Sequence, residues 1–173
     1  MKKFLFLLVT LLASFQIYAH GPTPQKVQET ITINASVEKV WAVVKDFCNI
    51  QKWHPAVEKT TCEKKGGDTF RTLVISSGET VYEKLRSVDE DLLKLKFEIV
   101  ESPNPFTDFN SYLIVTKGAN DNEASVQWTA RFYRLYKLNP PIPEGQDDAT
   151  AKAAAQAIVD SGLAGLKKML EAK

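Results

Sequence analysis

Apolar and polar residues alternate along most of the chain, which is the pattern of β-strands that bury one face. In the first alternating segment, residues 27–34, Val27, Ile31 and Ile33 share one face. Later segments of the same kind are separated by turns rich in Gly, Asn, Asp and Ser. They cover residues 57–63, 70–76, 79–88, 92–101, 110–117 and 123–136. We therefore predict a curved antiparallel sheet of six or seven strands.

Two segments follow a helical period instead. Apolar residues recur at helical spacing behind Ser36, a good N-cap, and a second short amphipathic turn runs on until Pro55. Proline pushes the residue before it out of the helical conformation, so the chain leaves this segment extended. Residues 147–173 form one long predicted helix, with Asp147 at its start and lysines near its end. Strands beside segregated helices indicate an α+β domain with its helices on one face.

The long helix presents mostly small residues to the sheet in its first half. Its predicted inner stripe is Ala154, Ala155, Ile158, Val159, Gly162, Leu166, Met169 and Leu170. Such a helix cannot by itself fill the hollow of a strongly curved sheet. Either Phe97, Trp128 and Phe132 fill the hollow, or a cavity remains. Residues 36–55 would then cradle the far end of the helix, with Trp41 buried beneath them.

The first nineteen residues have the three parts of an export signal. Lys2 and Lys3 precede the apolar run 4–13, and Ile17-Tyr18-Ala19 offers a cleavage site. The apolar run is short for a membrane span, although an uncleaved anchor is the alternative. We predict cleavage after Ala19, no stable membrane insertion afterwards, a periplasmic protein, and one domain over residues 20–173.

Charge and motif content exclude several classes of function. Removing Lys2 and Lys3 leaves 20 Lys+Arg against 21 Asp+Glu, and no basic stripe is visible along the chain, which argues against nucleic acid. No zinc spacing, phosphate loop, Ser-His-Asp order or haem motif is present, so we predict no cofactor. If His20 becomes the amino terminus, its amine and imidazole could together chelate copper. A flexible arm is the simpler interpretation of this weak metal candidate.

The hairpin around Ser76-Ser77-Gly78 suggests a polar site. A three-residue loop with Gly in the left-handed position sets Leu73 opposite Val81 and Arg71 opposite Glu83. If this face is the concave one, the two charges lie inside an apolar hollow, at a cost unless they are paired. The pair either fixes the strand register or anchors a ligand carbonyl or carboxylate, with the Tyr112 hydroxyl nearby. The predicted ligand-binding residues are Arg71, Leu73, Val81, Glu83, Phe97, Tyr112, Trp128 and Ile158.

Cys48 and Cys62 are the only cysteines. In an oxidising compartment an even pair suggests a disulfide, and two separate buried thiols are the alternative. Cys62 lies seven residues beyond Pro55, up to roughly 23 Å along an outgoing strand. Only a strand that folds back under residues 36–55 brings the two Cα atoms within the ~7 Å limit of a disulfide.

The order of elements resembles the Bet v 1-like superfamily of hydrophobic-ligand binders, also called START-like, SRPBCC or polyketide cyclase/dehydrase proteins. Three local matches carry the resemblance: Val40-Trp41-x-x-Val44-x-Asp46-Phe47 followed by Lys52-Trp53-His54-Pro55; Glu83-Lys84-Leu85; and Trp128. The resemblance spans essentially the whole predicted mature chain. It implies a helix-grip fold, in which a curved sheet holds a long C-terminal helix over a hydrophobic hollow.

The export signal, the Ala19-His20-Gly21-Pro22-Thr23-Pro24 start and the Lys-Trp-His-Pro run look most similar to MxaD-type periplasmic proteins of methylotrophic bacteria. That resemblance implies an accessory or binding protein that supports methanol oxidation, with methanol dehydrogenase or its cytochrome as partner and a small apolar ligand in the hollow. We predict two candidate docking edges, at Trp53, His54 and Pro55 and at Pro140-Pro141-Ile142-Pro143.

A second resemblance keeps an enzymatic alternative open. Arg71, Glu83 and Tyr112 fall where the lachrymatory-factor synthases, a plant branch of the superfamily, keep an Arg, a Glu and a Tyr used in catalysis. It implies a cofactor-independent cyclase, dehydratase or isomerase with Glu83 as acid/base and Arg71 as electrostatic clamp. These plant proteins carry similar cysteines without an export signal, which weighs against a disulfide between Cys48 and Cys62. We favour the binding protein, since the Arg/Glu pair is explicable without chemistry.

Overall fold

A seven-stranded antiparallel sheet wraps around one long helix in the computed structural model, which describes residues 21–172. The strands are β1 (Gln25–Ile33), β2 (Val57–Lys65), β3 (Asp68–Ile75), β4 (Thr80–Asp89), β5 (Lys94–Glu101), β6 (Phe106–Lys117) and β7 (Ala124–Arg134). The helices are α1 (Val37–Val44) and α2 (Asp148–Glu171), and a 3₁₀ segment (Phe47–Lys52) follows α1. The predicted signal peptide and His20 lie outside the described residues.

The strand order is β1-β7-β6-β5-β4-β3-β2, and all neighbours are antiparallel. The helix-grip α+β prediction is therefore confirmed, with seven strands and two short helical segments after the first strand. Within residues 21–172, no helix combines the length and apolar character needed to cross a membrane.

Both helices begin where their capping residues predict. The Ser36 side chain accepts a hydrogen bond from the Lys39 backbone N–H (3.4 Å), and Asp147 accepts one from Thr150 (2.7 Å). The apolar face of α1 is buried, including Trp41, whose indole N–H donates to the Glu90 carboxylate at 2.7 Å. A charged surface residue thus completes the burial of this tryptophan.

Two glycines let α2 pack against the chain that leaves the 3₁₀ segment. A Cβ atom on Gly165 would lie 2.0 Å from the carbonyl oxygen of Trp53, and one on Gly162 would lie 2.5 Å from the Trp128 ring. Cβ atoms essentially never lie within 3.0 Å of a neighbouring atom, so any larger residue here would force one of the two segments to shift. The 36–55 segment does cradle the C-terminal half of α2, as the sequence predicted.

Cys48 and Cys62 form a disulfide, with their Cα atoms 5.8 Å apart. Of the two alternatives, the disulfide is confirmed and the separate thiols are wrong, although the resemblance to the plant proteins weighed against the disulfide. The strand starts at Val57 and runs back alongside the 3₁₀ segment, which brings Cys62 to Cys48. The disulfide therefore fastens the 3₁₀ segment to the edge strand of the sheet.

The hollow contains both aromatic side chains and free space. Phe97, Trp128 and Phe132 are all buried in the core. A cavity of about 100 Å³ nevertheless remains between the sheet, the 3₁₀ segment and α2. The two alternatives left open by the sequence therefore hold together.

Candidate functional site

The cavity has an almost wholly apolar wall. It lies where the inner faces of β3, β4 and β5 meet the 3₁₀ segment, the start of β2 and the middle of α2. Its lining residues are Ile50, His54, Ala56, Val57, Leu73, Ile75, Val81, Glu83, Phe97, Ile99, Asn104, Phe109, Trp128 and Ile158. Two of these residues are ionisable, His54 and Glu83, and Glu83 supplies the carboxylate.

Arg71 and Glu83 form a buried ion pair across β3 and β4. Their Cα atoms are partners in the strand ladder, and so are those of Leu73 and Val81, which is the register that the hairpin loop predicted. The Arg71 Nε–H donates to Glu83 Oε2, and its Nη1–H donates to the Phe47 carbonyl at 2.5 Å. Arg71 and Glu83 are only 1% and 4% exposed, so water screens this pair very little.

Four contacts fix the Arg71 guanidinium behind the cavity wall. Besides its two hydrogen bonds, its Cζ lies 4.0 Å from the centroid of the Phe47 ring and 5.0 Å from that of the Phe97 ring, both cation–π distances. Its Nη2 is buried and finds no hydrogen-bond partner among residues 21–172. Glu83 lines the cavity and Arg71 does not, so the carboxylate is the group that a ligand would meet.

Burial opposes both charges of the pair. It raises the pKa of the Glu83 carboxyl, against the opposing influence of the Arg71 charge and hydrogen bond. Burial likewise lowers the pKa of Arg71, while Glu83 acts in the opposite direction. The pair is thus held by mutual attraction in a place where burial opposes the charge of each partner.

His54 is a neutral histidine packed inside the site. Its Nδ1 accepts a hydrogen bond from the Ala56 N–H at 3.3 Å, and its ring meets Trp128 edge to face, with centroids 6.1 Å apart. Burial, with a smaller contribution from the positive charge of Arg71, lowers its pKa to about 4, although the Ile158 carbonyl opposes the shift. His54 therefore carries no charge at neutral pH, and its ring is a packed part of the cavity wall.

Tyr112 lies outside the hollow, contrary to the prediction. On β6 its neighbours Ser111 and Leu113 are buried, so the two-residue period turns Tyr112 to the convex face. There the Lys94 ammonium lies 4.1 Å from the centroid of its ring. Arg71, Glu83 and Tyr112 consequently do not assemble into one catalytic site.

The predicted docking edge at Trp53-His54-Pro55 also needs correction. Trp53 and His54 are buried, because their rings pack against Trp128 and their backbone lies against α2. Pro55 alone of the three is exposed. In the second proposed edge Pro140, Pro141 and Pro143 are exposed and Ile142 is half-buried.

Leu73, Val81, Phe97, Trp128 and Ile158 all lie on the cavity wall, together with Glu83. Sequence reasoning missed the remaining lining residues. Several of these, such as Val57, Ile75 and Ile99, already belonged to the apolar phase of their strands, so alternation could have identified them. Phe109 lies one residue before the predicted strand 110–117 and shares the inward phase of Ser111, Leu113 and Val115. The irregular register between Thr107 and Asn110, with Asp108 at a φ of +52°, changes the phase further upstream, so that Phe106 is buried as well.

The fold and the apolar cavity define a helix-grip protein of the START/Bet v 1-like class. A sequence model of the family described as polyketide cyclase / dehydrase and lipid transport matches residues 24–171, and the chain belongs to this family. A comparison with curated proteins finds no significant match.

Solved structures show the same fold at low sequence identity. The protein XoxI from Bacillus cereus is similar, with a TM-score of 0.72, 23% identity, and 84% of this chain and 94% of that chain covered. The Zhui aromatase/cyclase from Streptomyces sp. R1128 gives 0.65 and 17%, over 86% and 92% of the two chains. Norcoclaurine synthase from Thalictrum flavum, solved with dopamine and hydroxybenzaldehyde, gives 0.63 and 15%, over 88% and 90%.

Proposed function

We propose that this protein is an exported binding protein that holds a small, mainly apolar ligand carrying one hydrogen-bond donor. The observation that carries the proposal is the apolar cavity with the Glu83 carboxylate on its wall. The family description, which joins cyclases and dehydrases with lipid transport, supports a function of ligand binding. The donor of the ligand would face Glu83, since Arg71 already occupies one of the two carboxylate oxygens.

The size of the cavity limits the ligand. A dry cavity of about 150 Å³ lined by aliphatic and aromatic residues can take benzene. The cavity here, about 100 Å³, suits a group no larger than one small ring or a short branched chain. A longer ligand would place only its end in the cavity.

The periplasmic location belongs to the same proposal. Disulfides persist in exported proteins and are rare in the reducing cytosol. The Cys48–Cys62 bond therefore supports the interpretation of residues 1–19 as an export signal.

The most specific version of the proposed function is a role in methanol oxidation. It rests on the resemblance of the amino-terminal start and the Lys52–Pro55 run to MxaD-type proteins. Methanol dehydrogenase or its cytochrome would then be the partner. Methanol dehydrogenase genes next to the gene for this protein would support the role, and a genome without any would reject it.

Catalysis of the cyclase, dehydratase or isomerase type is the second candidate function. The favouring observation is that Glu83, a carboxyl with a raised pKa, lines the cavity and could exchange a proton with a ligand. The position of Tyr112 on the convex face removes one of the three groups that the enzymatic interpretation used. Binding without chemistry is therefore the better-supported function.

Phenol is a suitable probe, since it combines one ring with one hydroxyl donor. We expect NMR titration with phenol to shift the signals of cavity residues, and Val81→Phe to abolish these shifts by filling the cavity. Val74→Phe is the matched control, because Val74 lies on the adjacent strand and faces outward. Shifts that persist in Val81→Phe, or an absence of shifts in the unaltered protein, would reject the cavity as the binding site.

A further inference from the structure

The convex face of the sheet, opposite the cavity, collects positive charge. Five of the cationic side chains on this face, from four strands, form a set with Tyr112 between them that we call the cationic face: Lys26, Arg86, Lys94, Lys96 and Arg131. Lys84 also lies on this side of the sheet and is paired with Asp68. The cluster is invisible in the linear sequence, because its members are scattered over residues 26–131. The absence of a basic stripe along the sequence therefore does not mean that the folded protein lacks a locally basic surface.

The strand register brings these charges together around the Tyr112 hydroxyl. Lys96 faces Tyr112 across β5 and β6, Arg131 faces Asn110 on the same side of β6, and Lys94 lies over the Tyr112 ring. A hydrogen bond with Thr129 and the positive charges of Lys94, Arg131 and Lys26 lower the pKa of Tyr112. The phenol oxygen therefore lies in a positive field contributed by three strands.

Most of these cations lack a carboxylate partner. Arg86 pairs with Glu98 at 3.3 Å, and Asp89 faces Lys94 in the β4–β5 ladder. For Lys26, Lys96 and Arg131, no salt bridge is formed with any residue in the range 21–172.

Lys26 and Arg131 are also direct cross-strand partners, an arrangement of like charges that weakens a sheet. The chain as a whole is almost neutral, with 22 Lys+Arg against 21 Asp+Glu. Concentrating unpaired cations here costs stability, and packing of the core does not require it.

The dimensions of the cationic face indicate the class of its partner. From β1 to β4 it crosses four strand spacings, which is roughly 19 Å. A small anion would contact only a fraction of it. Carboxylates of Glu98, Asp89 and Asp108 lie at its margin and would repel a continuous chain of phosphates, whereas a protein surface can place its own cations against them.

We propose that the cationic face docks an acidic surface of a partner protein. Tyr112 supplies a partly exposed aromatic side chain near the middle of the contact, as protein interfaces favour. Because the cavity opens on the other side of the sheet, a bound partner leaves the ligand site free. The proposal is therefore independent of the function proposed above.

A decaglutamate peptide at low ionic strength is the probe for this surface, because salt screens exposed charges. We expect NMR shifts confined to outward-facing residues of β1, β4, β5, β6 and β7. The double variant Lys96→Gln/Arg131→Gln should weaken the affinity about tenfold. The control Lys59→Gln/Lys65→Gln removes the same charge from exposed positions of the edge strand β2 and should leave the affinity unchanged.

Three outcomes would overturn the proposal: no binding of the peptide, equal weakening by both double variants, or shifts spread over the whole surface. Tighter binding of a single-stranded DNA ten-mer or of phosphatidylserine vesicles through the same residues would reject a protein partner in favour of a phosphate ligand. Phenol binding should be the same in all variants, and thermal melting verifies that the variants are folded whether or not phenol binds.

Discussion

The fold buries two ionisable residues, Glu83 and His54, in an apolar environment that disfavours the charged form of each. Glu83 remains compatible with burial through its ion pair with Arg71, which also contacts the Phe47 carbonyl and the Phe47 and Phe97 rings. His54 remains compatible by staying neutral. The two residues should therefore respond differently to substitution and to pH.

Replacing Glu83 with Gln should destabilise the protein strongly. The change leaves Arg71 charged and buried without its carboxylate, and breaking a buried pair in this way costs ~3–5 kcal/mol. Urea denaturation measures the free energy of unfolding. Glu98→Gln is the control, since its pair with Arg86 is exposed and should be worth no more than ~1 kcal/mol. A Glu83→Gln protein as stable as the control would mean that Arg71 gains little from this pair.

Acid should weaken the fold through His54. Its pKa is about 4 in the folded protein and 6.5 as the ordinary value, so between these values the unfolded chain binds more protons. The associated stability is fully present above pH 6.5 and is lost as the pH falls towards 4, up to about 3 kcal/mol. Comparing urea midpoints at pH 7.5 and 4.5 for the native protein and for His54→Gln isolates this contribution. Equal pH dependence in the two proteins would show that His54 titrates normally.

At the scale of elements, the contact between α2 and the exit of the 3₁₀ segment decides how closely the helix approaches the sheet. Gly162 and Gly165 lie where Trp128 and the Trp53 carbonyl leave no room for a side chain. Glycine has a low helix propensity, so the close approach of α2 reduces the intrinsic stability of the helix at these two positions. The position of the cavity wall at His54 depends on the same contact.

Gly165→Ala should therefore reduce stability although alanine favours helices. A methyl group 2.0 Å from the Trp53 oxygen forces the helix away, and overpacking of this kind costs ~1–3 kcal/mol. Ala164→Gly, one residue earlier on the exposed face, should cost only the helix propensity, roughly 0.5–1 kcal/mol. A stabilised Gly165→Ala protein, measured by thermal melting, would contradict the close approach.

Alternation and capping predicted the elements well because each depends on neighbours in sequence. Ser36 and Asp147 capped the helices, and the loop ending in Gly78 fixed the Arg71–Glu83 register. The errors came from features that depend on other parts of the chain. The resemblance places Tyr112 in the site although the phase of β6 turns it outward, and Cys62 reaches Cys48 only through the path of β2. Phe109 has the inward phase of β6 but lies one residue before the predicted strand 110–117, so the predicted wall did not include it.

At the scale of the whole molecule, the sheet separates two proposed binding sites. Its concave side encloses the apolar cavity, and its convex side presents the cationic face. Neither side is visible as a segment of the sequence, since each draws on at least four strands. The near-neutral total charge hides this separation.

Export should remove the first nineteen residues from the protein. We expect N-terminal sequencing of protein from the periplasmic fraction to begin at His20, since the Lys2-Lys3 start, the apolar run and the small Ala19 form a complete signal. Replacing Ala19 with a bulky residue such as Phe should block cleavage there and leave a heavier product. Recovery of intact Met1 at the amino terminus of native protein would contradict the prediction.

The Cys48–Cys62 bond also sets how far the molecule can be stretched. When the two ends of the chain are pulled apart, the tension passes across the sulfur atoms and bypasses the segment between the two cysteines, which are 14 positions apart in sequence. Fully extended, that segment would span up to roughly 50 Å, whereas the bridge spans 5.8 Å between Cα atoms. In a single-molecule pulling experiment, the contour length of the oxidised chain is accordingly shorter by roughly 40 Å. Trp53 and His54 lie within the bypassed loop, so the applied tension does not act on them.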